Sequence, residues 1–326
     1  MDNSRNSPSS NLLLANALAD CLTRQAQAGQ SLAVAYSGGM DSSVLLHVAK
    51  QVAPTLDMHL SAIHVHHGLS VHADIWAQHC QQTCAALGLE LQVTKVAITR
   101  QSGDGLEAAA RKARLNVLLD HPADWILMAH HADDQAETVL HNLLRGTGPR
   151  GAAGIPERRG RVLRPLLGLS RQTLLGYAQA HKLSWIEDES NADRRYTRNY
   201  LRHEILPVIK HRFPQAVEQL SAATRRFGDA QSLLDELALN DLGTDGFVFP
   251  VPLCLLRSLS EQRAKNVVRA LISGQQVQLP DERRLGEFVR QLLTAASDRH
   301  PLLAMDVYTL SVKGKMLHFE KPADVA

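Results

Sequence analysis

Two hydrophobic rhythms alternate over the first half of the chain. Continuous apolar runs, Leu32 to Tyr36, residues 59–65, Leu89 to Val96 and Trp125 to Ala129, have the length and character of strands packed in a sheet. Between them apolar residues recur every three or four positions. This pattern predicts a helix over 11–28 (Leu12, Leu13, Leu14, Ala17, Leu18, Leu22) and one after Asp41 with Val44, Leu45, Val48 and Ala49 inward. It also predicts a helix over 72–88 that packs Ile75, Trp76, His79, Cys80 and Leu87, one from Leu106, and one from Asp133 to Leu144. The packed side of the last carries Val139, Leu140, Leu143 and Leu144. Strands alternating with helices predict an α/β, Rossmann-like fold: a parallel sheet with helices on both faces.

From Arg145 to Arg171 the rhythm breaks, and glycines mix with arginines. After about Phe213 helical patterns return (Ala216–Leu239, Ser260–Ile272, Glu282–Thr294) and close on a hairpin over Val307 to Phe319 with Lys313-Gly314 at its turn. The expected division is an N-terminal helix over 1–30 packed on a domain over 31–212, then a smaller, mainly helical domain over 213–326. At 326 residues each domain can bury a core.

Composition changes this picture little. Hydrophobic residues are 44% and charged ones 21%, ordinary for a soluble protein. The net charge of +2 does not by itself argue for nucleic acid, so the distribution of charge must. The apolar runs are far short of a membrane span, and the polar N-terminus, Met1 to Asn11, has no apolar signal core. Cys21, Cys80, Cys84 and Cys254 lack the Cys-x-x-Cys spacing of a redox or cluster site and read as reduced, packed thiols of a cytoplasmic protein.

The chemistry gathers at predicted strand ends, where open parallel sheets bind ligands. Ser37, Gly38, Gly39, Met40, Asp41 and Ser42 follow the first strand and open a helix. A strand, a glycine turn and a helix start collect free N–H groups and the positive end of a helix dipole, which is an anion site. A carboxylate there, Asp41, makes sense beside phosphates when a divalent cation lies between them. The Gly-x-x-x-x-Gly-Lys-Ser/Thr pattern is missing, so this is not a Walker loop.

His66-His67 and His130-His131 end the second and fourth strands. Asp134 and Glu137, three apart on a helix, can reach one site. There they can hold magnesium, receive an ammonium group or act as a base, or be helix-start acids that answer the dipole. Glu107, Arg111 and Arg114 share a helix face, either solvated or turned toward a nucleotide phosphate. The His-x-His-His run has no matching set of zinc ligands nearby. Arg145, Arg150, Arg158, Arg198 and Arg202 lie in two basic stretches that can follow an RNA backbone or be plain surface.

Ser37-Gly38-Gly39-Met40-Asp41-Ser42 resembles the pyrophosphate (PP) loop of the N-type ATP pyrophosphatases. Taken with His64-Val65-His66-His67-Gly68-Leu69, Glu107/Arg111/Arg114, the block from His130-His131 through Asp134, Glu137 and Thr138, Arg145-Gly146-Thr147-Gly148, Arg164-Pro165-Leu166-Leu167, Asp188/Ser190/Asn191 and Arg198-Asn199 with Arg202, the chain is similar to the tRNA(Ile)-lysidine synthetases over about residues 30–212. Gly151 to Ile155 departs from the family's usual Gly-Leu-x-Gly-Met, and the chain looks too short to hold in full the further C-terminal domain of many members.

The resemblance implies an ATP- and Mg2+-dependent enzyme that joins L-lysine to the wobble cytidine of tRNA(Ile) with a CAU anticodon. Ser37, Gly38, Gly39, Met40, Asp41, Ser42, His67 and Arg114 would bind ATP. Asp41 and Asp134 would hold the metal, and Asp41, Arg111, Asp134 and Glu137 would be catalytic. Arg145, Arg150, Arg158, Arg198 and Arg202 would meet RNA. Oligomeric state stays open, a homodimer included. A tRNA thiolase, an amidotransferase-linked synthetase and a non-catalytic nucleotide sensor are the alternatives. Cysteine spacing, the lack of a visible glutaminase domain and the three carboxylates weigh against them in turn.

Overall fold

The structure is a computed structural model that describes residues 8–66, 68, 72–96, 106–187, 194, 197–296 and 299–321; the side chains of residues 8–9 and 106–111 are not described. The chain forms two compact units, residues 1–226 and 227–326, dividing inside one long helix where the sequence suggests a break after Arg212.

The first unit opens with α1 (Pro8–Gln25), which buries Leu14, Leu18, Cys21 and Leu22. Leu12 and Leu13, expected to pack, are 62% and 51% exposed because they lie off the helix face that Leu14, Leu18, Cys21 and Leu22 bury. There follow β1 (Ser31–Ala35), α2 (Met40–Val52), β2 (His59–His66), α3 (Ala73–Leu87), β3 (Leu91–Lys95), α4 (Leu106–Asp120), β4 (Trp125–Leu127) and α5 (Ala132–Leu144). A one-turn α6 (Pro149–Ala152) leads to the short strands β5 (Arg158–Arg159) and β6 (Val162–Leu163), then α7 (Arg171–Ala180), α8 (Thr197–Tyr200), a π-helical turn (Leu201–Ile205) and α9 (Leu206–Arg212).

The strands form one sheet in the order β3-β2-β1-β4-β6-β5, parallel except for the β5–β6 pair. From Leu32 to Ala35 β1 is apolar because it is buried on both faces: Leu32 and Val34 join a core with α1, α2, α3 and α7, and Ala33 joins Ile63, Ile126 and Leu118 of α4. After β3 the chain crosses to the far side of β1, so the strand order reverses between β1 and β4. The carboxyl ends of these two strands therefore flank the crevice in which such sheets bind ligands.

Two helix faces differ from the periodicity. Ile75 is 61% exposed while α3 buries Ala73, Ala77, Cys80 and Cys84. Leu143 and Leu144 are 45% and 74% exposed, so only the earlier turns of α5 are covered.

The long helix α10 (Ala216–Leu242) carries the chain into the second unit, which holds α11 (Leu253–Arg257), α12 (Glu261–Gly274), α13 (Glu282–Thr294) and an antiparallel sheet. Its order is β7-β10-β9-β8, from β7 (Val251–Pro252), β8 (Leu302–Met305), β9 (Tyr308–Lys313) and β10 (Met316–Glu320). β9 and β10 are the expected hairpin. Lys313 pairs with Met316, so the two-residue turn is Gly314-Lys315, both at positive φ (57° and 65°), as a hairpin twist demands. β7 and β8 are too short to have signalled themselves. Leu271, Phe288, Leu292, Tyr308, Leu310 and Leu317 form a core of this unit's own.

Candidate active site at the carboxyl end of the first strand

Beyond β1 the chain bends through Ser37, Gly38 and Gly39 into α2. Gly38 sits at φ +83°, and a Cβ there would lie 3.0 Å from Ile186 Cδ1 and 3.1 Å from Cys80 Sγ. Ile186 N–H donates to Gly38 O at 2.9 Å, so a distant segment clamps the bend. The serines brace it. Ser42 Oγ and Ser43 Oγ donate to Gly39 O at 2.9 and 3.0 Å, and Ser37 Oγ lies 3.0 Å from Ser42 Oγ. No side chain caps α2, so its positive end is left to whatever binds in front of it.

Asp41 stands in that first turn. Its Oδ1 is buried without a hydrogen-bond partner, and its Oδ2 lies 3.6 Å from His131 Nε2. His131, 1% exposed, is the N-cap of α5. Its Nδ1 accepts from Asp134 N–H at 3.4 Å while Asp134 Oδ2 accepts from His131 N–H at 3.0 Å, a reciprocal box with imidazole in the usual place of a hydroxyl. His131 Nε2 is also 3.5 Å from Asp134 Oδ2. One buried ring thus joins a carboxylate after β1 to a carboxylate after β4.

Glu137, one turn further along α5, is 5% exposed. Arg202 on the π-helical turn forks onto it, Nε to Oε1 at 2.5 Å and Nη2 to Oε2 at 2.9 Å, and Nη2 also donates to Asp134 Oδ1 at 3.0 Å. Asp133 Oδ2 accepts Arg171 N–H at 2.7 Å, so fixing the start of α7, and lies 3.8 Å from His131 Nδ1. On another side of α5, Gln135 pairs both ways with the Ile155 backbone (2.6 and 2.8 Å), and Asn142 Nδ2 donates to Gly151 O at 2.8 Å, which pins the glycine-rich loop.

Burial works to raise the Asp41 carboxyl, but His131, Arg171 and Arg202 outweigh it and hold the group below its ordinary range. Burial opposes charge on His131, yet Asp41, Asp134 and Asp133 draw the ring above its ordinary value. For Glu137 burial wins over Arg202, and its carboxyl is held up. Among the described residues no three Cys, His, Asp or Glu side chains make a ready metal cage. The buried, unpartnered Asp41 Oδ1 fits magnesium, which is typically bound by one or two carboxylates with phosphates and water completing its shell.

Residues 11–209 match the PP-loop domain family and residues 252–314 the TilS substrate binding domain family. Over 318 residues the chain is 37% identical to the tRNA(Ile)-lysidine synthase of Nitrosomonas europaea, covering 94% of this chain and 69% of that one. The chain belongs to the tRNA(Ile)-lysidine synthase family. It is 45% identical over 276 residues to the member from Alkalilimnicola ehrlichii, covering 83% of this chain and 62% of the relative, and 43% over 291 residues to that of Pseudomonas aeruginosa, covering 84% and 65%. It therefore spans between three fifths and seven tenths of the length of these curated relatives. Among solved structures, the U34-tRNA thiolase NcsA from Methanococcus maripaludis shares the fold, with a TM-score of 0.56 at 16% identity over 67% of this chain and 79% of that one.

Against the residues that the lysidine synthase resemblance singles out, Ser37, Gly38, Gly39, Met40, Asp41, Ser42, Asp134 and Glu137 come together. Met40 is buried at the start of α2, and Ser42 Oγ is turned to its own loop. His67 and the side chains of Glu107 and Arg111 lie outside the described residues, as do Asp188, Ser190 and Asn191. Arg114 is partly buried on α4. Arg145 and Arg150 are exposed and Arg198 is half-buried. Arg158 lies over the Trp125 ring at 5.0 Å and donates to Gln25 Oε1 at 2.7 Å. Arg202, read from the sequence as an arginine that would meet RNA, stands in the acidic cluster, where it pairs with Glu137 and Asp134. His131 as the bridge was missed. The signal was present in the His-His block, but nothing in it says which histidine faces the loop. His64 is packed, with Nδ1 2.9 Å from Tyr36 O, and His66 pairs with Asp74 at 3.1 Å.

Proposed function

We propose that the chain is a cytoplasmic ligase that uses ATP to join L-lysine to C2 of the wobble cytidine of tRNA(Ile) with a CAU anticodon, by way of an adenylated cytidine, releasing AMP and pyrophosphate and changing the codon read from AUG to AUA. The observation that carries this reading is the meeting of Asp41, at the uncapped start of α2, with Asp134 across His131, and of Asp134 with Glu137 through Arg202. Main-chain N–H groups of the Gly38-Gly39 bend would hold the β- and γ-phosphates. Asp41, with Asp134, would hold magnesium, which when bound offsets phosphate charge. Arg111 and Arg114 would bind the nucleotide, as the family resemblance implies.

The lysine amine must lose a proton before it attacks C2 and displaces AMP. Glu137, a buried carboxylate with a raised pKa, is suited to take that proton. Arg202 shares its carboxylates, so the incoming ammonium would meet a partly neutralised pair. Arg145, Arg150, Arg158 and Arg198 would follow the RNA backbone.

The test mixes the chain with ATP, Mg2+, lysine and the CAU isoleucine tRNA and follows AMP, pyrophosphate and lysidine. Asp41→Ala should lose all three products while keeping the fold, as a cooperative unfolding transition would show. Normal turnover in that variant would remove Asp41 from the mechanism.

A further inference from the structure

An open apolar groove of about 580 Å3 lies within the first unit and reaches α5 at Leu140. Its walls are Leu140 of α5, Ile209 of α9, Phe213 and Leu220, and its polar residues are Arg212, Gln215 and Gln219. Phe213 is 61% exposed and has the Arg212 guanidinium over its ring at 5.6 Å. Lys210, His211 and Arg212 make the last turn of α9 basic; Lys210 lies 3.7 Å from Asp133, and Arg212 lines the groove. Exposed Arg145 closes α5, and no carboxylate lines the groove.

Leu140 is three residues after Glu137 on α5, so the two side chains are neighbours on one helix surface. The floor is continuous with Ala136, Leu206 and Val217, beneath the same stretch of α5 that carries the acids.

We infer that this groove binds an unstacked nucleobase of single-stranded RNA, the neighbour of the base that reacts at Glu137 and Asp134. The inference rests on the ligase reading above and deepens it. Four features argue for a base. An exposed aromatic ring beside an arginine is what stacks on a base face. Two amide side chains can pair with a base edge, since each offers both a donor and an acceptor. The basic rim suits the phosphates that flank a splayed nucleotide. The groove opens one turn along α5 from the acids, so adjacent nucleotides of one strand can occupy the two places. A second copy of the chain would have to bury the Arg212 guanidinium, and no carboxylate lines the groove to compensate it.

The experiment measures affinity for an anticodon stem–loop RNA at fixed salt, in two versions: intact, and abasic at the nucleotide 3′ to the wobble cytidine. Each is titrated against the wild-type chain, Phe213→Ala and Phe213→Trp. Phe213 is exposed, so these variants keep the fold; the thermal midpoint checks that. For the wild-type chain, removing the base should weaken binding about tenfold. Phe213→Ala should weaken intact RNA by a similar factor, and removing the base should then cost it little more. Phe213→Trp should restore binding of intact RNA only. Independent, multiplying losses overturn the base site. So does unchanged RNA affinity in Phe213→Ala, and if sedimentation then shows a smaller species, the groove is an interface between copies. Lysidine formed normally by a chain that shows no coupling sinks this inference alone, whereas a wild-type chain that binds the RNA but forms no lysidine sinks the ligase reading.

Discussion

Arg202 shows how one side chain changes meaning with its surroundings. In the sequence it is one of several arginines in a basic stretch, and the bland expectation is solvent or RNA. In the fold its fork meets Glu137 and Asp134. Replacing it by alanine leaves Glu137, 5% exposed, without its counter-ion. We expect a loss of about 3 kcal/mol in urea unfolding, the low end for a broken buried pair because a third of the Arg202 side chain is in water. Arg202→Lys should recover only part of it, since an ammonium cannot make the forked contact. The loss should depend on pH. Glu137 is already held above its ordinary value of 4.5, and without Arg202 it rises further. A carboxyl raised in the folded state contributes stability that is full below 4.5 and lost as pH climbs through the folded value. The penalty of Arg202→Ala should therefore shrink in acid and be largest near neutral pH; a penalty that does not vary with pH would place the Glu137 charge outside its cause.

At the scale of elements, α5 joins most of the site. Its N-cap reaches Asp41, its first turn fixes α7 through Asp133, and its Gln135 face holds the glycine-rich loop. The loop comes close because Gly154 has no Cβ: one placed there would stand 2.4 Å from Gln135 Oε1. Gln135→Ala strips partners from the Ile155 N–H and C=O, each worth about 1–3 kcal/mol when left unsatisfied. We expect it to lower the unfolding midpoint and to raise amide hydrogen exchange at residues 154–155; exchange equal to wild type would show the loop is held by other contacts. The helix itself was legible, since Asp133 to Leu144 carries both its start signal and its stripe. The extent of burial was not: periodicity marks a face, but whether Leu143 and Leu144 are covered depends on where neighbouring elements end.

For the whole molecule, two units each build a core, and three of the four cysteines disappear into the first. Burial pushes the thiols of Cys21 and Cys84 up to about 11 and that of Cys80 to about 12. Only thiolates react readily, so at pH 8 the native chain should titrate one thiol, exposed Cys254, and the unfolded chain four. Rapid labelling of Cys80, which touches the Gly38 bend, would mean that the bend opens. The alternation of strands and helices, the PP-loop and the acidic block of α5 could be read from residue order alone, because each depends on local backbone chemistry or on a repeat of two or three to four positions. The tertiary structure alone decided that His131 bridges Asp41 to Asp134, that Arg202 pairs with the acids, and that a groove opens at Leu140. These are contacts between residues far apart in the chain, and they exist because the strand order turns back at β1 and brings two helix starts to one crevice.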